Sequence, residues 1–305
     1  MNQFLPKGSR LHTHENIAAL HSVAAMKAAM NAGTILEARA ILCDSSHNLL
    51  VQLPCMQGII PREERAIGIA DGTTRDIALI AKAGKPVCFR ILRIEMRNGQ
   101  QTAILSRRIV QESCWEEYLS KCKSGDILPA VVTHLERFGA FVDIGCGIPS
   151  MLPIHTISVS RIMHPKDRFV VGQPIQVVVQ QVELRRIHLT HRELLGTWEE
   201  NAALFSAGQT VVGMIRSVES YGIFVELTPN LAGLAEPRSD VSVGQCASVY
   251  IKSIIPQKMK VKLVLIDAFE NTEPPMPLRY FVHSKHINKW RYALKDSMRI
   301  IETIF

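Results

Sequence analysis

Two aromatic pairs, Phe138 with Phe141 and Tyr221 with Phe224, are the side chains in this sequence best suited to chemistry at a surface. They sit in matching stretches, Phe138-Gly139-Ala140-Phe141-Val142-Asp143-Ile144 and Tyr221-Gly222-Ile223-Phe224-Val225-Glu226-Leu227, 83 residues apart. An aromatic ring held on a strand surface stacks on an unpaired base, a contact worth ~1–3 kcal/mol per base. In a regular strand, positions i and i+3 face opposite ways. The intervening Gly139 and Gly222 therefore predict a bulge that turns both rings of a pair to one face.

Cations are spaced to accompany those rings. In Arg186-Ile187-His188-Leu189-Thr190, strand alternation puts Arg186, His188 and Thr190 on one face and Ile187 and Leu189 inside. In the later copy, Lys258, Lys260 and Lys262 share a face, with Met259, Val261 and Leu263 inward. A cationic row beside stacking rings suits a phosphate backbone. His155, His164 and Lys166 lie on the connecting loop near that groove and are further candidates. Catalytic chemistry finds no such support. His188 and His191 point opposite ways on a strand, and there is no Walker loop and no Gly-x-Gly-x-x-Gly. The seven cysteines contain no Cys-x-x-Cys pair, so they read as thiols of a reducing cytosol rather than zinc ligands or disulfides. The expectation is no enzyme, no catalytic residue, no metal, no cofactor and no small-molecule substrate.

The elements that position these residues recur with them. Trp115-Glu116-Glu117 returns as Trp198-Glu199-Glu200, again 83 residues on, and ten residues after each Trp stands a glycine, Gly125 or Gly208. Self-similarity at fixed spacing indicates copies of one module. Each copy holds five short apolar runs punctuated by glycine, which fits a five-stranded OB barrel. A weaker first copy starts at Gly33. It lacks the aromatic pair and has Asp44-Ser45-Ser46-His47-Asn48 in its place.

With Phe138–Ile144, Val171-Gly172-Gln173 and Arg186–Thr190 in view, the sequence resembles the S1 RNA-binding domain, the OB-fold module of ribosomal protein S1. The whole chain looks like the short S1 homologues of clostridia and their relatives. The resemblance implies binding of single-stranded RNA, mRNA at the small ribosomal subunit, during translation. Two departures stand out. Family modules often carry a His after the third strand, where this chain has Pro153 in the middle copy and Glu236 in the last. An acidic group there should weaken the last module's hold on phosphate. Two other readings stay open: an RNA-binding regulator away from the ribosome, and an OB-fold protein-interaction scaffold.

The expected architecture is mainly β: tandem OB-fold (S1-motif) barrels joined by short helices. The divisions are a helical segment 1–32, a degenerate first OB domain 33–110, a helical linker 111–124, an S1 domain 125–192, a linker 193–207, an S1 domain 208–268 and a basic, aromatic tail 269–305. Gly33 is placed to end one amphipathic helix over Ile17–Ala32. Ser113-Cys114-Trp115-Glu116 and Thr197-Trp198-Glu199-Glu200 each fit a capping box. Glu273-Pro274-Pro275-Met276-Pro277 sets off the tail, expected as a helix packed on the last barrel by Trp290, Ile300, Ile301 and Ile304. With 305 residues, 47% of them hydrophobic, the chain can form several cores, and its net charge of +7 favours a polyanionic partner. No apolar run is long enough to span a bilayer, so a cytoplasmic location and no membrane partner are expected.

Overall fold

The computed structural model describes residues 3–69, 72, 83–272, 277–294 and 300–305. Residues 273–276, most of the proline-rich break, lie outside them, as do residues 295–299 of the tail. Two compact units divide the chain: residues 1–122 with 129–131 and 143–149, and residues 123–128, 132–142 and 150–305.

The first unit opens with two helices, α1 (His14–Leu20) and α2 (Val23–Asn31), where one was expected. Ser22 explains the break: its hydroxyl accepts from Ala25 N and starts a new helix. Gly33 ends α2 as expected. At φ +61° it donates to Met30 O while Thr34 N donates to Ala29 O, the paired bonds of a Schellman cap. Strands β1 (Leu36–Cys43), β2 (Leu49–Gln52), β3 (Gln57–Ile60), β4 (Pro86–Arg97) and β5 (Gln100–Ser106) then close a barrel in the order β1-β2-β3-β5-β4. Alternate residues fill it, among them Leu36, Ala38, Val51, Phe89 and Leu105, and Leu20 and Met26 of the helices join this core.

Helix α3 (Arg108–Glu117) follows β5 directly and corrects the expected linker start. Ser113 lies inside α3, and its hydroxyl accepts from Arg90 Nη1. The hydroxyl at the helix start is that of Ser106, accepting from Ile109 N.

The middle module has β6 (Ile127–Glu136), β7 (Gly139–Asp143), β8 (Pro149–Pro153), β9 (Pro174–Glu183) and β10 (Arg186–Thr190), in the sheet order β10-β9-β6-β7-β8. This is the barrel order opened between β8 and β10, and Ser150 Oγ donates across that seam to Ile187 O at 2.6 Å. The last module has β11 (Thr210–Glu219), β12 (Gly222–Thr228), β13 (Leu231–Ala235), β14 (Cys246–Ile255) and β15 (Lys260–Phe269), closed in the order β11-β12-β13-β15-β14. Between them α4 (Trp198–Ala202) begins with the expected capping box: Thr197 Oγ1 accepts from Glu200 N, and Glu200 Oε2 from Thr197 N. Trp198 is buried in the core of the last barrel.

One glycine repeats in all three copies. Gly84, Gly172 and Gly244 have φ of +75°, +91° and +96° and donate to Ala40 O, Val132 O and Ile215 O. Each following residue accepts in return from the same partner's N–H. Only glycine takes that backbone conformation without strain. The first copy thus carries the module's geometry through Ala83-Gly84-Lys85-Pro86, counterpart of Val171-Gly172-Gln173-Pro174.

Among its described residues the tail holds no helix, against the expectation, and β16 (Lys289–Arg291) pairs with β17 (Glu302–Ile304) in a two-stranded ribbon. Trp290 and Tyr292 are buried in the core of the last barrel, as expected for Trp290, whereas Ile300 and Ile304 are exposed. The upstream half lies on the middle module: Tyr280 Oη accepts from Gln176 N, and Ile127 N donates to Lys285 O. Tyr280 also meets His191, which is fully buried and donates from Nδ1 to Ile157 O at 2.8 Å.

Burial holds the His191 pKa down at about 4. In the unfolded chain it titrates near 6.5. Between those values the unfolded state binds a proton that the folded state refuses. Stability is therefore complete above about pH 6.5 and falls as the pH drops toward 4, by about 3 kcal/mol in all. Urea unfolding at pH 7 and pH 4.5 should show that loss in the parent chain and a smaller one in His191→Gln. Equal losses in both would contradict it.

Candidate nucleic-acid interface

Both aromatic pairs meet on the surface, by a different route from the one the glycines suggest. Phe138 and Tyr221 are not inside strands. Each is the second residue of a two-residue turn, Arg137-Phe138 between β6 and β7 and Ser220-Tyr221 between β11 and β12. The bulge is on the preceding strand instead, where the β11 register slips between Ile215 and Ser217. The glycines serve close approach: a Cβ on Gly139 would stand 2.5 Å from Leu152 O, and one on Gly222 2.7 Å from Ala235 O. Glycine lets the third strand come in beside the turn, leaving the turn ring and the strand ring as neighbours.

The two pairs are near copies in space. Phe138 and Phe141 have centroids 6.0 Å apart at 89°, and Tyr221 and Phe224 6.2 Å at 85°. Phe138 is 56% exposed and Tyr221 65%, while Phe141 and Phe224 are half-buried. Ala140, Val142, Ile223 and Val225 alternate with them into the cores. His134 on β6, which the sequence reading passes over, lies 6.2 Å from Phe141 and extends the middle aromatic surface.

The acids that follow the rings do not belong to that surface. Asp143 is buried, accepting from Lys7 N at 2.9 Å and from Gly145 N and Gly147 N. Burial pushes its pKa above the ordinary carboxylate range. Glu226 is also buried and accepts from Arg168 and from both Arg216 Nε and Nη2, the latter two at 3.0 and 3.1 Å.

Strand register brings cations to the rings of the last barrel. Phe224 pairs with Leu234 on β13, and Leu234 with Lys262 on β15. Phe224, Leu234 and Lys262 thus make one outward row, with Lys260 two residues along. Lys258 is a correction. It belongs to a 3-10 turn (Pro256–Lys258), and Met259, at φ +49°, separates it from β15. Its place is taken by Lys252, left unpaired where the β14 register slips between Ile251 and Ser253. Leu234, Lys252, Lys260 and Lys262, but not Lys258, border a groove of about 630 Å³ that also takes in Tyr221, Phe224 and Glu236.

On the middle module Arg186 and His188 are exposed on β10, at the positions of Lys260 and Lys262 in the alternation. Thr190 is a second correction. Alternation along β10 puts it outward, but the turn that follows the strand covers it, and its hydroxyl donates to Glu193 of that turn. His155 is exposed on the turn after β8, next to Ile154, whose N–H donates to Phe138 O. His164 and Lys166 lie on another element, the turn Pro165–Asp167. There His164 Nδ1 accepts from Lys166 N, and Asp167 pairs with Arg216 at 3.4 Å. His164 thus caps a turn. The first barrel has no ring at its turn: Asp44 spans it, accepting from Asn48 N and Nδ2.

Among the described residues no cluster of three or more His, Cys, Asp or Glu is arranged to hold a metal, and no helix is long and apolar enough to cross a membrane.

Residues 121–192 match the S1 RNA binding domain family. The small ribosomal subunit protein bS1 of Rhizobium meliloti is 28% identical over 69% of this chain and 39% of its own length. The bS1 homolog of Bacillus subtilis is 31% identical over 60% of this chain and 49% of its own. The chain spans about half or less of the length of the curated relatives it matches. A solved multidomain protein with nucleic acid binding domains from Streptococcus pneumoniae is 14% identical, covering 79% of this chain and 76% of its own, with a TM-score of 0.26.

Proposed function

We propose that this chain, which belongs to the S1 RNA-binding domain family through residues 121–192, binds single-stranded RNA with its middle and last barrels. The observation that carries this reading is the duplicated ring pair, set edge to face in the same way on two barrels and left open to solvent. Phe138, Phe141, Tyr221 and Phe224 stack on bases. Arg186, His188, Lys252, Lys260 and Lys262 neutralise phosphates, with His155 at the edge of the middle site and Lys166 and Lys258 as outlying charges. The named relatives are small ribosomal subunit proteins. That relationship supports a reading in which the RNA is mRNA, the setting is translation at the small subunit in the cytoplasm, and the protein acts by binding and not as an enzyme.

Stacking requires splayed bases, so a single strand should bind better than a perfect duplex of the same sequence. Contact with roughly three to five phosphates gives a log–log salt slope near −2 to −3.5 for a single strand. Fluorescence titration of the full chain at several salt concentrations measures both. Equal duplex affinity, or a flat salt response, would sink the reading.

A further inference from the structure

The groove of the last barrel holds one group that the RNA-binding reading leaves unused, the carboxylate of Glu236. It borders the same groove as Tyr221, Phe224, Lys260 and Lys262. It is exposed, and among the described residues it has no hydrogen-bond or ion-pair partner, although lysines line the groove with it. Two acids of this barrel are engaged, Asp240 with Arg238 and Glu226 with two arginines. A free acceptor beside a stacking pair cannot serve a phosphate, which it repels. It can serve a base edge.

Base chemistry narrows the choice. A carboxylate only accepts, and its two oxygens take two parallel N–H donors. Guanine offers such a pair side by side on its Watson–Crick edge, N1–H and the N2 amino group. Adenine and cytosine each set one amino group beside a ring nitrogen that accepts, which would face a carboxylate oxygen lone pair to lone pair. Uracil sets its single N–H between two carbonyls. We infer that the last barrel is a guanine-reading site, in which Tyr221 and Phe224 stack the base and Glu236 accepts from its N1–H and N2–H. This rests on the RNA-binding reading and adds a base preference to it. The middle module supplies an internal control, because Pro153 stands where the last has Glu236 and offers no such acceptor.

The test is fluorescence anisotropy with the full chain and uridine oligonucleotides that carry one central G, A, C or inosine. A bidentate base contact discriminates by ~1–3 kcal/mol, so the G oligonucleotide should bind about 5- to 150-fold tighter than all-U. Inosine, which lacks the N2 amino group, should lose most of that advantage. Glu236→Gln should abolish the G preference while all-U affinity stays the same or rises a few-fold, since the amide keeps the shape of the side chain, loses the paired acceptors and no longer repels phosphate. The Phe138→Ala and Phe141→Ala changes should lower affinity for every oligonucleotide and preserve the G preference. Equal binding of all four oligonucleotides, or a G preference that survives Glu236→Gln, overturns the inference while RNA binding stands. Failure of every single strand to bind overturns both.

Discussion

Replacing Phe138 and Phe141 together by Ala should lower single-stranded RNA affinity by roughly 2–4 kcal/mol, about 30- to 1000-fold, if each ring stacks one base. Fold stability should change far less than for a core substitution. Phe138 sits on a turn and is 56% exposed, so truncation opens no cavity there. Phe141 is half-buried, and its loss removes part of a ring–ring contact at 6.0 Å. Removing a fully buried Phe instead costs ~3–5 kcal/mol. Phe89, inside the first barrel, supplies that comparison. Thermal melting and RNA titration on the same proteins separate the two quantities. A double variant that melts early yet binds RNA normally when folded would show that these rings are core, and the proposed interface would be lost.

How much of this is legible depends on whether the signal is linear. The ring pairs and the Gly172 and Gly244 positions are patterns along the chain, and each becomes the same local structure twice, whereas the Trp repeat does not: Trp115 lies late in α3 and Trp198 opens α4. The first copy is readable as a barrel, but its Gly84 escapes notice because Ala83-Gly84-Lys85 lacks the Val and Gln that mark the other copies. Features set by a register slip are not legible. Simple alternation gives Lys252 no role, and the extra residue in β14 reverses that, while Thr190 reads as outward because alternation cannot show that Glu193 of the next turn covers it. Lys258 is misplaced because alternation has no way to signal the left-handed Met259. Ser113-x-x-Glu116 misleads because Ser and Glu three apart also occur within a helix. The tail, with strands of three residues and rings that fill another module's core, carries no period from which to read a strand.

Glu226→Gln should be among the most destabilising single changes in the chain, costing about 3–5 kcal/mol. Nothing along the chain hints at this, since Glu226 reads as the polar step of an alternating strand. In the fold it is buried between Arg168, on the loop of the middle module, and Arg216, on β11 of the last barrel, and Arg216 also reaches Asp167. Burial alone would pull the Arg168 pKa down, and the Glu226 charge opposes that. Removing the carboxylate charge leaves a buried guanidinium unpaired. Backbone contacts reinforce the joint: Asn230 Oδ1 accepts from Val159 N, and its Nδ2 donates to Arg192 O and Gly196 O. The joint therefore fixes the two ring-bearing faces relative to each other, and on the proposed function one strand that touches both gains the effective concentration of a linked site. Urea unfolding should register the stability loss, and Arg168→Met added to Glu226→Gln should recover part of it by removing the orphaned charge. In the folded single variant, affinity for an oligonucleotide long enough to reach both ring pairs should fall more than affinity for one that spans a single barrel. A cost below about 1 kcal/mol would remove the ion pair from the joint, and equal losses for both oligonucleotides would show that the two barrels bind RNA independently.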